Sequence, residues 1–156
     1  MITKVVKGDL IHLAKQGRFD AIVHGCNCQG VMGAGIAPQI AKAFVGVREA
    51  DNDFEIPLRD VRRLGKYSKT YQEEIDTWVI NAYTQFDIRG RSVGKPDVNY
   101  RAITRVFTSL NGEFRGKTLG IPRIGAGLAC GHWEAISEII NLTTPDVKII
   151  LVEYQP

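Results

Sequence analysis

The chain has 156 residues, 44% hydrophobic and 24% charged, and a formal net charge of +3. That length suffices for one substantial core, so a single domain over residues 1–156 is expected, with no room for a second catalytic one. No apolar run approaches the ~20 residues of a membrane span, and Lys4, Lys7 and Asp9 interrupt any signal-peptide core; a cytoplasmic protein with no membrane partner is expected.

In chain order, Thr3 to Lys7 reads as a short edge strand and Leu10 to Lys15 as one or two helical turns closed by Gly17. Ala21 to Cys26 is an apolar run suited to a buried strand. Gly35 to Phe44 carries Ile36, Ile40, Ala43 and Phe44 at helical spacing, and a shorter helix covers Val47 to Asn52. Tyr67 to Gln72 and Thr77 to Tyr83 alternate as strands around the acidic turn Glu73 to Asp76, with Trp78, Ile80 and Ala82 on one face. Thr84 to Asp97 holds Gly90, Gly94 and Pro96 without periodicity and reads as a mobile loop. Tyr100 to Phe114 repeats apolar residues every three or four positions, with Asp97 or Asn99 as its cap. Thr118 to Ile121 is a central strand, Trp133 to Leu142 a helix, and Lys148 to Glu153 a last buried strand. This alternation predicts an α/β fold, a three-layer α/β/α sandwich around a mixed sheet, with a site at the carboxyl ends of the strands.

Two glycine-rich stretches carry most of the functional signal. His24 to Ala37 reads HGCNCQGVMGAGIA and Ile121 to Ala129 reads IPRIGAGLA. Each follows a strand pattern and precedes a helix, so each aims free backbone N–H groups and a helix dipole at one spot, which suits a phosphate. Two such loops in one small domain point to a diphosphate held from both sides.

Cys26, Cys28 and Cys130 are odd in number and are expected to stay reduced. They and His12, His24 and His132 show no metal-ligand spacing, so neither metal nor cofactor is expected. The basic residues are scattered, with Arg59, Arg62, Arg63 and Lys66 reading as a solvated face and Arg89, Arg91 and Lys95 following later. No basic stripe with interleaved aromatics is present, which favours a small anionic ligand over sequence-specific nucleic acid.

The ordered set Gly8-Asp9-Leu10, Asn27 after its strand, Gly33-Ala34-Gly35-Ile36, Asn81-Ala82-Tyr83-Thr84-Gln85 and Pro122 to Leu128 resembles the macro domain family over nearly the whole chain. His24 to Cys28 is similar to the small ADP-ribose-1''-phosphate phosphatases. Pro122 to Trp133 is similar to the branch with terminal ADP-ribose protein glycohydrolase, which includes many bacterial and phage proteins. The resemblance implies that ADP-ribose or ADP-ribose-1''-phosphate, or an ADP-ribosylated macromolecule, is the partner. It implies that Asp9 accepts from the adenine amine, that Gly33, Ala34, Gly35 and Ile36 with Ile124, Gly125, Ala126 and Gly127 hold the diphosphate, that Asn27 bonds the distal ribose hydroxyls, and that Leu10, Tyr83 and Leu128 also bind the ligand. Hydrolysis of ADP-ribose-1''-phosphate is the expected activity, with His24, Asn27 and His132 as its catalytic set; removal of ADP-ribose from protein or nucleic acid, and plain ADP-ribose reading, are the alternatives. Each side chain also has a plainer use: Asp9 and His132 as helix caps, Asn27 as a loop tie, His24 as a core residue. The glycohydrolase lysine and aspartate are missing here, where Thr84-Gln85 and Ala129 stand.

Overall fold

A computed structural model describes residues 1–88, 90, 93 and 96–156. Six strands, β1 (Ile2–Gly8), β2 (Ala21–Asn27), β3 (Tyr67–Gln72), β4 (Thr77–Gln85), β5 (Thr118–Ile121) and β6 (Lys148–Tyr154), form one sheet in the order β1-β6-β5-β2-β4-β3. All neighbours are parallel except β3 against β4, which makes the sheet mixed and places the expected edge strand β1 at one rim. Among the described residues five α-helices flank it: α1 (Leu10–Lys15), α2 (Ala37–Ala43), α3 (Val47–Asn52), α4 (Tyr100–Glu113) and α5 (Trp133–Thr143).

Burial of both sheet faces explains why β2 reads as a continuous apolar run rather than an alternating one. Ala21 and Val23 face the core under α4 and α5, with Ile103, Phe107, Leu110, Ile136 and Ile140. Ile22 faces the opposite core with Leu10, Ile40, Phe44 and Val47 from α1, α2 and α3. Each such fully buried side chain contributes roughly 1.5–3 kcal/mol. Three layers result, as the sequence predicts.

Local chemistry sets the helix starts. Asn99 caps α4, its Oδ1 accepting from Ala102 N at 2.8 Å, and so takes the role left open between it and Asp97. Asp9 Oδ1 accepts from Ile11 N and His12 N at 2.9 and 3.1 Å and fixes α1. Strand β4 runs on through Thr84 and Gln85, two residues past its expected end. The first two residues of the mobile loop expected over 84–97 are therefore strand, and of the rest Arg89, Arg91, Ser92, Gly94 and Lys95, which include the second basic group, lie outside the described residues.

The first basic group is corrected by the structure. Arg59, Arg62 and Lys66 are exposed, but Arg63 is fully buried in a single 3₁₀ turn (Val61–Arg63) instead of on a solvated helical face. A guanidinium tolerates such a place only when paired and hydrogen-bonded. Its Nη1 donates to Asp51 Oδ1 at 2.9 Å, its Nη2 to Asp51 O at 2.8 Å and its Nε to Ile56 O at 2.8 Å.

Candidate functional site

The strands β2, β4 and β5 end on one side of the sheet, and there a cleft of about 360 Å³ opens between the two glycine stretches. Gly33, Ala34, Gly35 and Ile36 wall it from one side and Ile124, Gly125, Gly127 and Leu128 from the other, with Gly25, Cys26 and Asn27 at its floor. A second cavity of about 520 Å³, lined by Asp9, Leu10, Gln39, Val152 and Tyr154, shares Gly35, Ile36, Pro122 and Arg123 with the first. The two join into one groove at these shared residues, which belong to the facing loops.

The loops are built to donate. None of the backbone N–H groups of Gly33, Ala34, Gly35 and Ile36 finds a backbone acceptor among the described residues, and the same holds for Gly125, Gly127, Leu128 and Ala129. Ile124 N and Ala126 N differ from expectation, because they are spent on Pro122 O (2.8 Å) and Arg123 O (3.2 Å), and Ala126 does not line the cleft. Gly35 and Gly125 have φ of +68° and +76°, a region that disfavours any side chain. A Cβ on Gly125 would also stand 2.6 Å from Val98 Cγ2. Leu128 Cδ1 lies only 3.7 Å from where a Gly35 Cβ would be, so the two loops nearly meet over the groove.

At one end Asp9 combines both of its readings: Oδ1 caps α1 while the residue lines the second cavity. At the other end Asn27, 8% exposed, ties the first loop, with Nδ2 donating to Val31 O at 2.8 Å and Oδ1 accepting from Gln29 N and Val31 N. It still lines the cleft.

Besides Ala126, three predicted residues are not brought to the groove. His24 has no solvent exposure, since its position on β2 turns the ring toward the α3 side of the sheet. Its Nε2 donates to Asn81 Oδ1 at 2.6 Å, a direction fixed because Asn81 Nδ2 is itself committed to Val47 O and Ser68 Oγ. Burial pushes the His24 pKa down, against the upward pull of Asn81 and Asp51, so the ring is neutral at pH 7. Tyr83 is equally buried, its hydroxyl donating to Asp51 Oδ1 at 2.7 Å. His132 stands at the start of α5 with a side chain that makes no cap bond and remains mostly exposed, 3.9 Å from Glu134.

Gly25, Gln85, Ile88 and Arg123 line the cleft although none is predicted to. Gly25, Gln85 and Arg123 stand inside the segments that carry the family resemblance; the need for a glycine at Gly25 comes from the fold, which puts Thr84 Oγ1 2.8 Å from where its Cβ would be. Among residues on the cleft wall Cys26 is a thiol, and burial raises its pKa well above the usual range. Cys28 is likewise pushed up to about 12, mainly by burial. Neither is a thiolate nucleophile at neutral pH. No group of three or more His, Cys, Asp or Glu among the described residues could hold a metal ion.

Fold and groove together define the class: this is a macrodomain fold. Solved structures agree, with a Bacteroides thetaiotaomicron protein of unknown function at TM-score 0.81 and 24% identity over 96% of both chains. The macrodomain of Thermus aquaticus DarG matches at 0.71 and 19%, over 100% of this chain and 99% of that one. Thermosipho africanus DarTG, solved in complex with ADP-ribose, matches at 0.72 and 17%, over 97% of this chain and 42% of that one. At these identities the likeness is one of fold. No protein-family model matches. In sequence the chain is 35% identical, over 162 aligned positions, to the uncharacterised 17.5 kDa protein of the tk-vs intergenic region of Enterobacteria phage T4, covering 100% of this chain and 99% of the phage protein. The chain belongs to the family of that phage protein. Among the described residues no helix is long and apolar enough to cross a membrane.

Proposed function

We propose that the groove binds ADP-ribose. The observation that carries this reading is the facing of two loops whose N–H groups are unspent, at the waist of a groove with Asp9 at one end and Asn27 at the other. A diphosphate matches the waist, since backbone donors from both sides can hydrogen-bond and stabilise it without a lysine. The free Asp9 carboxylate oxygen suits an exocyclic amine, and Asn27 suits ribose hydroxyls. The ADP-ribose complex of Thermosipho africanus DarTG supports the ligand class through shared fold.

Hydrolysis of ADP-ribose-1''-phosphate is the second reading. Water would attack phosphorus, the P–O bond would break, and ADP-ribose and phosphate would leave. The free N–H groups of Gly127, Leu128 and Ala129 favour it, as donors for a terminal phosphoryl group. The buried, neutral His24 does not serve it, and no described histidine, carboxylate or lysine lines the Asn27 half of the cleft. Such a reaction would rest on positioning and backbone electrostatics.

Titration calorimetry with ADP-ribose tests the first reading; an affinity of about micromolar, roughly −8 kcal/mol, is expected, with AMP much weaker. No saturation at millimolar ADP-ribose would refute it. Chromatography of products from ADP-ribose-1''-phosphate, ADP-ribosylated protein and ADP-ribosylated DNA tests the second.

A further inference from the structure

A separate groove lies between α4 and the irregular segment over residues 54–66. It has a volume of about 1130 Å³ and shares no lining residue with the ADP-ribose groove. Four cations line it, Arg62, Lys66, Arg101 and Arg105, against a single lining carboxylate, Glu55. Arg62 is neutralised by Asp60 at 2.6 Å. Lys66, Arg101 and Arg105 are exposed and have no carboxylate partner among the described residues. Three uncompensated cations of a chain whose net charge is +3 therefore border one groove.

The placement is specific to the fold. Arg101 and Arg105 are one helical turn apart on the same face of α4, about 6 Å along the axis. Lys66 faces them from the segment leading into β3. Gly65, at φ +84°, leaves room for the stem of Arg105, whose Cβ and Cδ lie 2.9 Å from where a Gly65 Cβ would stand. The groove also contains two half-buried aromatic rings, Phe54 and Tyr67. No carboxylate competes from β3, whose residues are YSKTYQ, and Glu113 at the end of α4 is already held by Lys69 and the Tyr67 hydroxyl.

We propose that this groove binds a single-stranded nucleic acid through its phosphodiester backbone, without reading its sequence. Arginines one turn apart suit successive phosphates of an extended strand, and a cationic track floored by aromatic rings is the usual design for unpaired bases. An acidic peptide would match the charge but would leave the rings unused. The linear sequence hides this arrangement, since Phe54, Lys66 and Tyr67 are more than thirty residues from Arg101.

The test uses the full chain and a fluorescently labelled 12-nucleotide oligo(dT), followed by anisotropy. Binding is expected at 50 mM salt and should weaken with a log–log slope of about −2, corresponding to three phosphate contacts on a single strand. The triple variant Lys66→Glu, Arg101→Glu, Arg105→Glu changes only exposed side chains; it should bind at least tenfold more weakly while its thermal unfolding and its ADP-ribose calorimetry match the parent. No binding by the parent at 50 mM salt, or equal binding by the triple variant, would overturn the proposal. So would inorganic polyphosphate or poly-Glu binding as tightly as oligo(dT) at matched charge. Because ADP-ribose binding is read separately, failure of either site leaves the other standing.

Discussion

At the residue scale, His24 shows how one position can carry a chemically apt side chain and still be denied the chemistry. Its order in the sequence, at a strand end before a glycine loop, suggests a proton carrier; the pleat of β2 decides otherwise by turning it to the Asn81 side. Its buried pKa is lowered, while in the unfolded chain it returns to about 6.5. The unfolded state thus binds the extra proton below pH 6.5, so stability present above that pH is lost as pH falls, with a slope of up to about 1.4 kcal/mol per pH unit. Urea unfolding from pH 7.5 to 5.5 should show this loss, and His24→Gln should flatten it. At pH 7.5 His24→Ala should destabilise by roughly 2–4 kcal/mol, from the cavity and the unpaired Asn81 oxygen. Its ADP-ribose affinity, where the fold persists, should change less than threefold. A large loss of affinity with unchanged stability would instead place the ring in the groove.

At the element scale, the glycine stretches were legible because their function lies in the backbone: a strand–glycine–helix pattern prescribes free N–H groups whatever the fold around them. What the pattern could not show is which N–H groups turn inward, so Ile124 and Ala126 were expected as donors and are not. The amphipathic helices and buried strands were equally legible, from period and apolar run length; Tyr83 was misplaced because a strand buried on both faces gives no alternation to tell inward from cleftward. Gly127 offers the cleanest test of the second loop. A Cβ there meets nothing within 4 Å, so Gly127→Val should fold normally yet project into the cleft. Calorimetry should find ADP-ribose affinity reduced at least tenfold with the melting temperature within about 2 °C of the parent. Gly35→Val adds backbone strain of about 1–2 kcal/mol at its positive φ and should lose both affinity and some stability.

At the scale of the whole molecule, the long connection between α3 and β3 is held by one buried guanidinium. Arg63 bonds to Asp51 on α3 and to the carbonyls of Ile56 and Pro57, and lies 5.0 and 5.4 Å from the ring centroids of Tyr83 and Phe54. The connection also reaches the first glycine stretch, through Arg59 N donating to Cys28 O at 2.7 Å. Arg63 therefore joins the wall of the cationic groove to the strand beside the cleft between the glycine stretches, a link that sequence hid because a run of three arginines within five residues looks solvated. Removing one partner of such a pair leaves a buried charge, so Asp51→Ala should destabilise by roughly 3–5 kcal/mol in urea unfolding. Arg63→Met, in the same measurement, leaves Asp51 with the Tyr83 hydroxyl as its remaining side-chain donor and should be costly too. The double variant Asp51→Leu, Arg63→Met removes both charges and should recover much of the loss, because apolar side chains of similar volume satisfy the site without a desolvation penalty. Limited proteolysis distinguishes this from a general weakening of the core: cleavage in Asp51→Ala should begin within residues 53–66, whereas first cuts elsewhere would show that Arg63 is buried without holding the connection.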